Sequence, residues 1–384
     1  MKLTKSLVLL VASGILPSAA FSPVPTKTGS NLKSSPFTLS ASKRSGAMSR
    51  KNKNLDSSSS GAEGFAERAT VKEDKKEPQR IQDAGRIYSR PALYDLAFGY
   101  RNYEEEVRFL LEAHEKHSTL SKDNTKPANI IELAAGPARH TISALRHFSS
   151  KVNSSTAVDI SKDMIEYSNE IADDELGDRG MGGMRDKFQY IEEDMRTIGH
   201  AAGSSLKQGS FDSAWILLGS MQHLTTNDDV ISCFSSVSDL LRDGGTLTVE
   251  LPHPRETFTM VDCTRNGWEV PLEDDEGIEY GELRIVWGDD DDKFDPIRQV
   301  RDFTVEMDLV ITGDVKVDDS DLQSVKEIVP LRMFTYQEIE VLGRIAGFEI
   351  AGLYGALSDE IDVNSDEAFR LVCVLHKIKS PVKL

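Results

Sequence analysis

The sequence predicts an α/β fold whose central sheet is mostly parallel. Between residues 129 and 251, short apolar runs alternate with segments of helical periodicity. Strands that alternate with helices form a parallel sheet covered by helices on both faces, which is a doubly wound arrangement. Residues 252–333 change to a period of two, which is typical of half-exposed antiparallel strands. A helix and two further strands then close the chain.

The apolar spacing sets approximate bounds for each element. An amphipathic helix from Tyr103 to Lys116 precedes the sheet, with Val107, Leu110 and Leu111 on one face. In chain order, the predicted central elements are strand 129–134, helix 140–148, strand 156–159, helix 162–172, strand 188–192, strand 211–218, helix 227–242 and strand 245–251. The closing elements are helix 336–346, which stops at Gly347, and strands 348–354 and 369–376.

The segment 252–333 is predicted to be a β-rich insertion before the last helix. Its alternating stretches are residues 268–270, 279–287, 299–311 and 324–330. The acidic run Asp289 to Asp292 is expected at a hairpin tip. It lacks the ligand spacing of a calcium loop, so no metal site is predicted.

Three polar features lie where predicted strands end. The first strand ends at the tight turn Ala135-Gly136-Pro137, whose small residues let a ligand approach the backbone. The second ends at Asp159, and an acid at this point of an open α/β sheet reaches ribose hydroxyls. The third ends at Asp194-Met195, where a carboxylate can accept from an adenine amino group and a thioether can cover the ring. An adenosine-type cofactor is therefore expected.

These motifs, taken together, resemble the class I S-adenosylmethionine (SAM) dependent methyltransferases. Further matches lie at residues 211–220, 240–248 and 334–348, and the resemblance covers roughly residues 88–377. It implies a doubly wound, mostly parallel, seven-stranded Rossmann-like sheet, with the antiparallel insertion as a lid over the substrate. It also implies SAM as the cofactor and in-line transfer of its methyl group to a small-molecule acceptor.

The resemblance implies the cofactor contacts by position. They are Glu132, Ala134, Gly136, Asp159, Ile160, Met164, Asp194, Met195, Leu218 and Gly219. The chain departs from the family where Ala134 and Ala138 replace glycine. Pro137 removes one backbone donor, so we expect a tighter loop.

Candidates for contact with the acceptor are fewer. Gln222 and His223 follow the fourth strand, and His223 is a candidate proton acceptor, with a structural hydrogen bond as the alternative. Tyr94 and Arg101 lie in a segment that folds over the cofactor in the family that the chain resembles. Arg101 is a candidate for binding a substrate carboxylate, with an ordinary salt bridge as the alternative. His140 is expected to make a helix-cap contact.

Charge and cysteine content narrow the function classes. The chain has 384 residues and a net charge of −18, and the acidic surface repels nucleic-acid backbones and anionic membranes. A small-molecule substrate is therefore favoured over a nucleic acid. Three widely spaced cysteines, Cys233, Cys263 and Cys373, have neither metal-site nor disulfide-framework spacing. Cys233 and Cys373 are expected to be core thiols.

The amino terminus predicts targeting. Lysines precede an apolar stretch that is too short for a stable anchor, so residues 1–20 are expected to be a signal peptide. Residues 21–80 are rich in serine and basic residues, with no acid before Asp56, which is typical of a transit peptide. The pair resembles the bipartite presequence of algal secondary plastids, and a secreted or endomembrane protein is the alternative. The catalytic domain is expected at 87–384, with its core at 127–251 and 334–378.

Two other functions remain open from the sequence. A nicotinamide-dependent oxidoreductase of Rossmann type is the first, although the strict Gly-x-Gly-x-x-Gly is absent. A methyltransferase-like fold that acts as a non-catalytic assembly factor is the second.

Overall fold

The structure is a computed structural model of the chain. It describes residues 86–120, 128–177, 183–255, 266–274, 276–312 and 325–378. The predicted signal peptide and transit peptide, Cys263 and part of the glycine-rich segment 177–184 lie outside the described residues.

A seven-stranded sheet forms the larger layer, in the order β11-β12-β5-β4-β1-β2-β3. Its strands are β1 (Ala128–Leu133), β2 (Val152–Asp159), β3 (Phe188–Glu192), β4 (Phe211–Ile216), β5 (Leu241–Pro252), β11 (Phe348–Tyr354) and β12 (Arg370–Lys377). Strand β12 pairs antiparallel with both neighbours, and the other pairs are parallel. The fold class predicted from the sequence is confirmed.

Six α-helices of the described residues flank and precede this sheet. They are α1 (Pro91–Phe98), α2 (Tyr103–His117), α3 (Arg139–His147), α4 (Lys162–Leu176), α5 (Asn227–Leu240) and α6 (Tyr336–Ile345). Four begin at a side-chain cap, which explains why their starts are readable in the sequence. The caps are Asn102, Ser161, Thr226 and Thr335, the last in a capping box with Glu338.

Element boundaries differ from the prediction where polar residues belong to strands. Strand β2 begins at Val152, four residues early, because its polar start pairs with β1. Strand β5 begins at Leu241, and α5 therefore ends at Leu240. Cys233 and Cys373 are free and buried, as predicted.

The insertion forms a separate antiparallel sheet in the order β10-β9-β7-β6, with a short β8 against β9. Its strands are β6 (Asn266–Glu273), β7 (Glu279–Trp287), β8 (Phe294–Asp295), β9 (Val300–Ile311) and β10 (Val325–Arg332). Burial alternates along β7 and β9, so one face is apolar and the other faces solvent.

The segment before α2 was predicted only as an aromatic-apolar cluster. It forms a 3-10 helix, Arg86–Ser89, and then α1, which starts with Pro91 at its first turn. Ile87, Leu93 and Ala97 pack into the apolar face of the lid sheet. Among the described residues, no helix combines the length and the apolar character that crossing a membrane requires.

Candidate functional site

The loop after β1 has a left-handed backbone conformation at every second residue from Ala134 to Ala138. The φ angles are 50° at Ala134, 51° at Gly136 and 56° at Ala138. The Gly136 N–H donates to Asp159 Oδ2 at 2.9 Å, and its carbonyl accepts from Ser168 and from the Tyr190 hydroxyl. The Gly136 peptide is therefore fixed from both sides, although alanine occupies two positions that favour glycine.

Gly136 leaves space at its Cα. A Cβ built there would meet only the Tyr94 ring carbon Cε1 within 4 Å, at 3.8 Å. Tyr94 stacks in a tilted contact on Phe98, with ring centroids 4.7 Å apart. The loop and the Tyr94 ring thus form a cradle that a side chain would fill, which fits a ligand approaching the backbone.

Asp159 lies at the carboxyl end of β2, beside this cradle. Its Oδ1 accepts from the Ser161 N–H at 2.9 Å and its Oδ2 accepts from Gly136. Burial raises the pKa of this carboxyl, and the backbone hydrogen bonds oppose that change. An ionised carboxylate accepts about four hydrogen bonds, so acceptor capacity remains for a pair of hydroxyls. Ile160 follows as an exposed apolar residue.

Asp194 lies two residues beyond the end of β3. Its carboxylate is held by the Arg196 guanidinium and backbone N–H, and Arg196 also reaches Asp229. Burial works to raise the pKa of Asp194, but the hydrogen bonds from Arg196 outweigh it and lower the pKa. Met195 packs against the core, and Met164 is buried at the start of α4.

The turn after β4 is held by a buried acid. Leu218 and Gly219 adopt left-handed φ values of 55° and 74°. The Leu218 N–H donates to Glu250 Oε2 at 2.9 Å, and the Gly219 N–H donates to the Glu250 carbonyl at 3.1 Å. Left-handed leucine is strained, and the bond to Glu250 compensates for that strain.

His223 ends the 3-10 helix Ser220–His223. Its Nε2 lies 2.9 Å from the Tyr88 hydroxyl, and the two rings meet edge-on. Burial lowers the pKa of His223 to about 4, so the imidazole is neutral at pH 7. Gln222 is buried and donates from Nε2 to the Arg332 carbonyl on β10 at 3.1 Å. Gln222 therefore joins the sheet to the lid.

Arg101 differs from its predicted role. Its Nε donates to both Glu106 oxygens, and its Nη2 lies 3.2 Å from both Glu250 oxygens. Its side chain is 6% exposed. Glu106, five residues away, and Glu250, 149 residues away, occupy the guanidinium, so the predicted contact with a substrate carboxylate conflicts with the geometry.

Glu132 faces the start of α3. Its Oε2 accepts from the Thr141 hydroxyl at 3.2 Å, and its Oε1 lies 3.5 Å from His140 Nδ1. The other ring nitrogen of His140 is 2.7 Å from Glu106. His140 thus lies between two carboxylates and does more than the expected helix-cap contact.

Comparison with known proteins shows which family the central sheet resembles. Residues 130–245 match the family described as a methyltransferase domain. This part of the chain is thus similar to a methyltransferase domain. The enzyme class and the SAM cofactor predicted from the sequence are therefore confirmed. The antiparallel β12 in the sheet also agrees with a methyltransferase rather than with the nicotinamide-dependent alternative.

Solved methyltransferases share the fold at low identity. A SAM-dependent methyltransferase from Clostridium acetobutylicum ATCC 824 is 16% identical with a TM-score of 0.52, over 76% of this chain and 96% of that one. DesVI from Streptomyces venezuelae is 15% identical with a TM-score of 0.50, and the match covers 73% of this chain and 96% of DesVI. The sugar N-methyltransferase KedS8 from Streptoalloteichus sp ATCC 53650 is 12% identical with a TM-score of 0.50, and the match covers 84% of this chain and 98% of KedS8. Comparison with curated protein sequences finds no match.

Sequence reasoning missed several residues of this methyltransferase site. Tyr88, Tyr190 and Glu250 fix His223, Gly136 and Leu218, respectively. Tyr190 and Glu250 lie on predicted strands, and the sequence pattern of those strands does not single them out. A buried acid at the end of β5 was the available signal, because such an acid needs partners. No group of His, Cys, Asp and Glu in the described ranges is arranged to hold a metal ion.

Proposed function

We propose that the enzyme methylates a nitrogen atom of a small-molecule amine. The observation that carries this proposal is the neutral, weakly basic His223 beside Tyr88. A general base works best when its pKa lies near the operating pH, and burial lowers the pKa of His223 to about 4. Such a base removes a proton from an alcohol poorly. An uncharged amine attacks with its own lone pair and needs no prior deprotonation.

The residues at the carboxyl ends of β1 and β2 fit the cofactor. Asp159 would hold its ribose hydroxyls, and the space beside Gly136 would admit its chain close to the backbone. When bound, SAM supplies a methyl group on a sulfonium, which is the reactive chemistry of the transfer. The protein's own contribution is then to align the acceptor nitrogen with that carbon, and positioning of this kind is worth about 7–11 kcal/mol.

The acceptor side suits a neutral or cationic compound. Burial raises the pKa of the Tyr88 hydroxyl, and the nearby acids Asp159 and Glu327 raise it further. Arg101 is engaged by Glu106 and Glu250, so it does not favour a carboxylate or phosphate here. The burial around Tyr88 and His223 favours the uncharged, nucleophilic form of an amine, since burial disfavours charge. That KedS8 is described as a sugar N-methyltransferase supports an amino sugar as the first compound to test.

Paired acceptors test the nitrogen assignment. The enzyme is incubated with methyl-labelled SAM and with amino sugars, each matched by the sugar with a hydroxyl at the same carbon. We expect label on the amines alone. Label on the hydroxyl partners would overturn the choice of nitrogen. SAM binding without transfer to any acceptor, including a cell extract, would favour the non-catalytic alternative.

His223→Gln tests the role of the imidazole. General base catalysis contributes about 10²–10⁴-fold, so loss of a weak base should lower kcat less than about 100-fold. A larger loss at unchanged SAM affinity would show that His223 takes the proton in the transition state. Asn227→Ala is the control, because Asn227 lies nearby at the start of α5 and contacts Arg332.

We also propose import into a plastid through the secretory route. The support is the signal-like stretch of residues 1–20 followed by the acid-free, serine-rich segment before Asp56. Mass spectrometry of the native amino terminus should find it between residues 20 and 87. Recovery of Met1 would contradict cleavage, and a fluorescent fusion in the extracellular medium would support secretion instead.

A further inference from the structure

A network of buried and partly buried charged side chains contacts two elements of the cofactor site. Three carboxylates and three cations take part, and each carboxylate contacts at least one cation. Its members are Arg101, Glu106, Glu132, His140, Glu250 and Arg370. A charge buried in protein is costly unless it is paired, so a network of this size calls for a reason beyond stability.

The two ends of the network contact elements of the cofactor site. At one end, His140 joins Glu106 to Glu132 at the carboxyl end of β1. At the other end, Glu250 accepts from the Leu218 N–H in the turn after β4. These elements belong to separate strands and are far apart in sequence. Arg101 bridges the two halves by hydrogen bonds, because its Nε donates to Glu106 and its Nη2 donates to Glu250.

We propose that Arg101 is a positioning residue for the cofactor. With Glu106, Glu250 and His140 it holds Glu132 and the strained Leu218–Gly219 turn in the arrangement that SAM binding requires. The inference rests on the cofactor contacts of the site described above and deepens the proposed function. It replaces the carboxylate-binding role that the sequence suggested for Arg101.

The planar guanidinium is required by the bridge itself. It presents donors along two edges, whereas a lysine ammonium is a compact point charge. Arg101→Lys keeps the buried positive charge and cannot reach both acids in the same way. Glu106→Gln is the second variant, since it keeps the shape and weakens the contacts to Arg101 and His140.

A buried guanidinium elsewhere supplies the matched control. Arg332 has a side chain 6% exposed, as Arg101 has, and pairs with Glu338 and Asn227 at the starts of α6 and α5. Arg332→Lys should therefore reproduce any general cost of altering a buried arginine. SAM dissociation constants are measured by calorimetry without acceptor, together with melting temperatures.

The expected result is a SAM dissociation constant at least about tenfold higher in both network variants. The control should stay within about twofold, at a similar loss of melting temperature. The acceptor KM should not change at saturating SAM.

Equal effects in Arg101→Lys and Arg332→Lys, or intact SAM affinity in both network variants, would overturn the proposal. A raised acceptor KM with unchanged SAM affinity would return Arg101 to substrate binding. Failure of the amine assignment would leave these SAM affinities untouched, so the two proposals are separable.

Discussion

The two sheets of this methyltransferase differ in what their faces bury. Strands β4 and β5 of the seven-stranded sheet are buried almost throughout, between helices. Along strands β7 and β9 of the lid, buried and exposed residues alternate, so one face packs against α1 and the other faces solvent. The larger sheet therefore offers ligands only its carboxyl edge, whereas the apolar face of the lid is covered by the segment of Ile87, Leu93 and Ala97.

This difference suggests a division of labour. Polar groups for the cofactor stand at strand ends of the larger sheet, where Asp159 and Gly136 are fixed to each other. Aromatic side chains of the lid, Trp268 and Trp287, meet Phe98 of α1 edge-on. Helix α1 lies between the two regions and carries Tyr94 to the cofactor loop. The lid is thus suited to selecting the acceptor and excluding water.

Replacing residues 256–328 by a short Gly-Ser loop would have the largest effect. We expect turnover to be abolished, because the acceptor loses its apolar cover, while SAM affinity falls less than about tenfold, roughly 1.4 kcal/mol. Calorimetry and a turnover assay measure the two effects, and circular dichroism checks that the sheet still folds. A folded variant without any SAM binding would place the lid in the cofactor site and end the division of labour.

Asp159→Asn should have the next largest effect, confined to the cofactor. Charge-assisted hydrogen bonds are worth about 1.5–3 kcal/mol each, and this carboxylate is placed to accept two from ribose. We expect the SAM dissociation constant to rise at least about 100-fold in calorimetry. Asp163→Asn, which alters an exposed acid in the first turn of α4, is the control and should change the dissociation constant less than about twofold. Equal affinities in the two variants would remove the ribose from this position.

The elements of the larger sheet were predictable because each carries a local signal. Buried strands give apolar runs, and Ser161 and Thr335 mark where helices begin. The lid strands were equally readable from their period of two. Helix α1 was not, because it is only eight residues long and its stability comes from packing on the lid.

The candidate site was predictable only where a single strand end supplies the group. Asp159 and Gly136 follow this rule. Arg101 does not, because its partner Glu250 lies on a strand 149 residues away that only the fold brings beside it. The same holds for Tyr88, whose contact with His223 spans 135 residues. Pairings of this length leave no pattern in one sequence.

The buried His140 should make stability fall as pH rises. Burial lowers the pKa of His140, but Glu106 and Glu132 outweigh it and raise the pKa to about 9. Tyr103 of α2 packs edge-on to the ring and Arg101 lies beyond Glu106. The folded state then binds one proton more than the unfolded state between about pH 6.5 and 9, so the contribution is complete below 6.5 and lost through 9.

Chemical denaturation at several pH values measures this contribution. Relative to His140→Gln, the wild-type free energy of unfolding should fall by about 1.4 kcal/mol per pH unit in that window. His200→Gln, on an exposed histidine paired with Asp239, is the control and should retain the wild-type slope. Parallel curves for wild type and His140→Gln would show that His140 is neutral in the folded enzyme.

The smallest effect concerns backbone strain in the cofactor loop. Ala134 is half-buried and left-handed, a conformation that costs an alanine about 1–2 kcal/mol. Glycine removes this cost but loses about 0.5–1 kcal/mol of chain entropy. Ala134→Gly should therefore stabilise the protein by about 0.5 kcal/mol in chemical denaturation.

Ala135→Gly is the control. Ala135 is not left-handed, so glycine removes no backbone strain there and should destabilise the protein by about 0.5–1 kcal/mol. If both substitutions destabilise equally, the Ala134 backbone is not strained. The loop would then tolerate alanine in place of the family's glycine without cost.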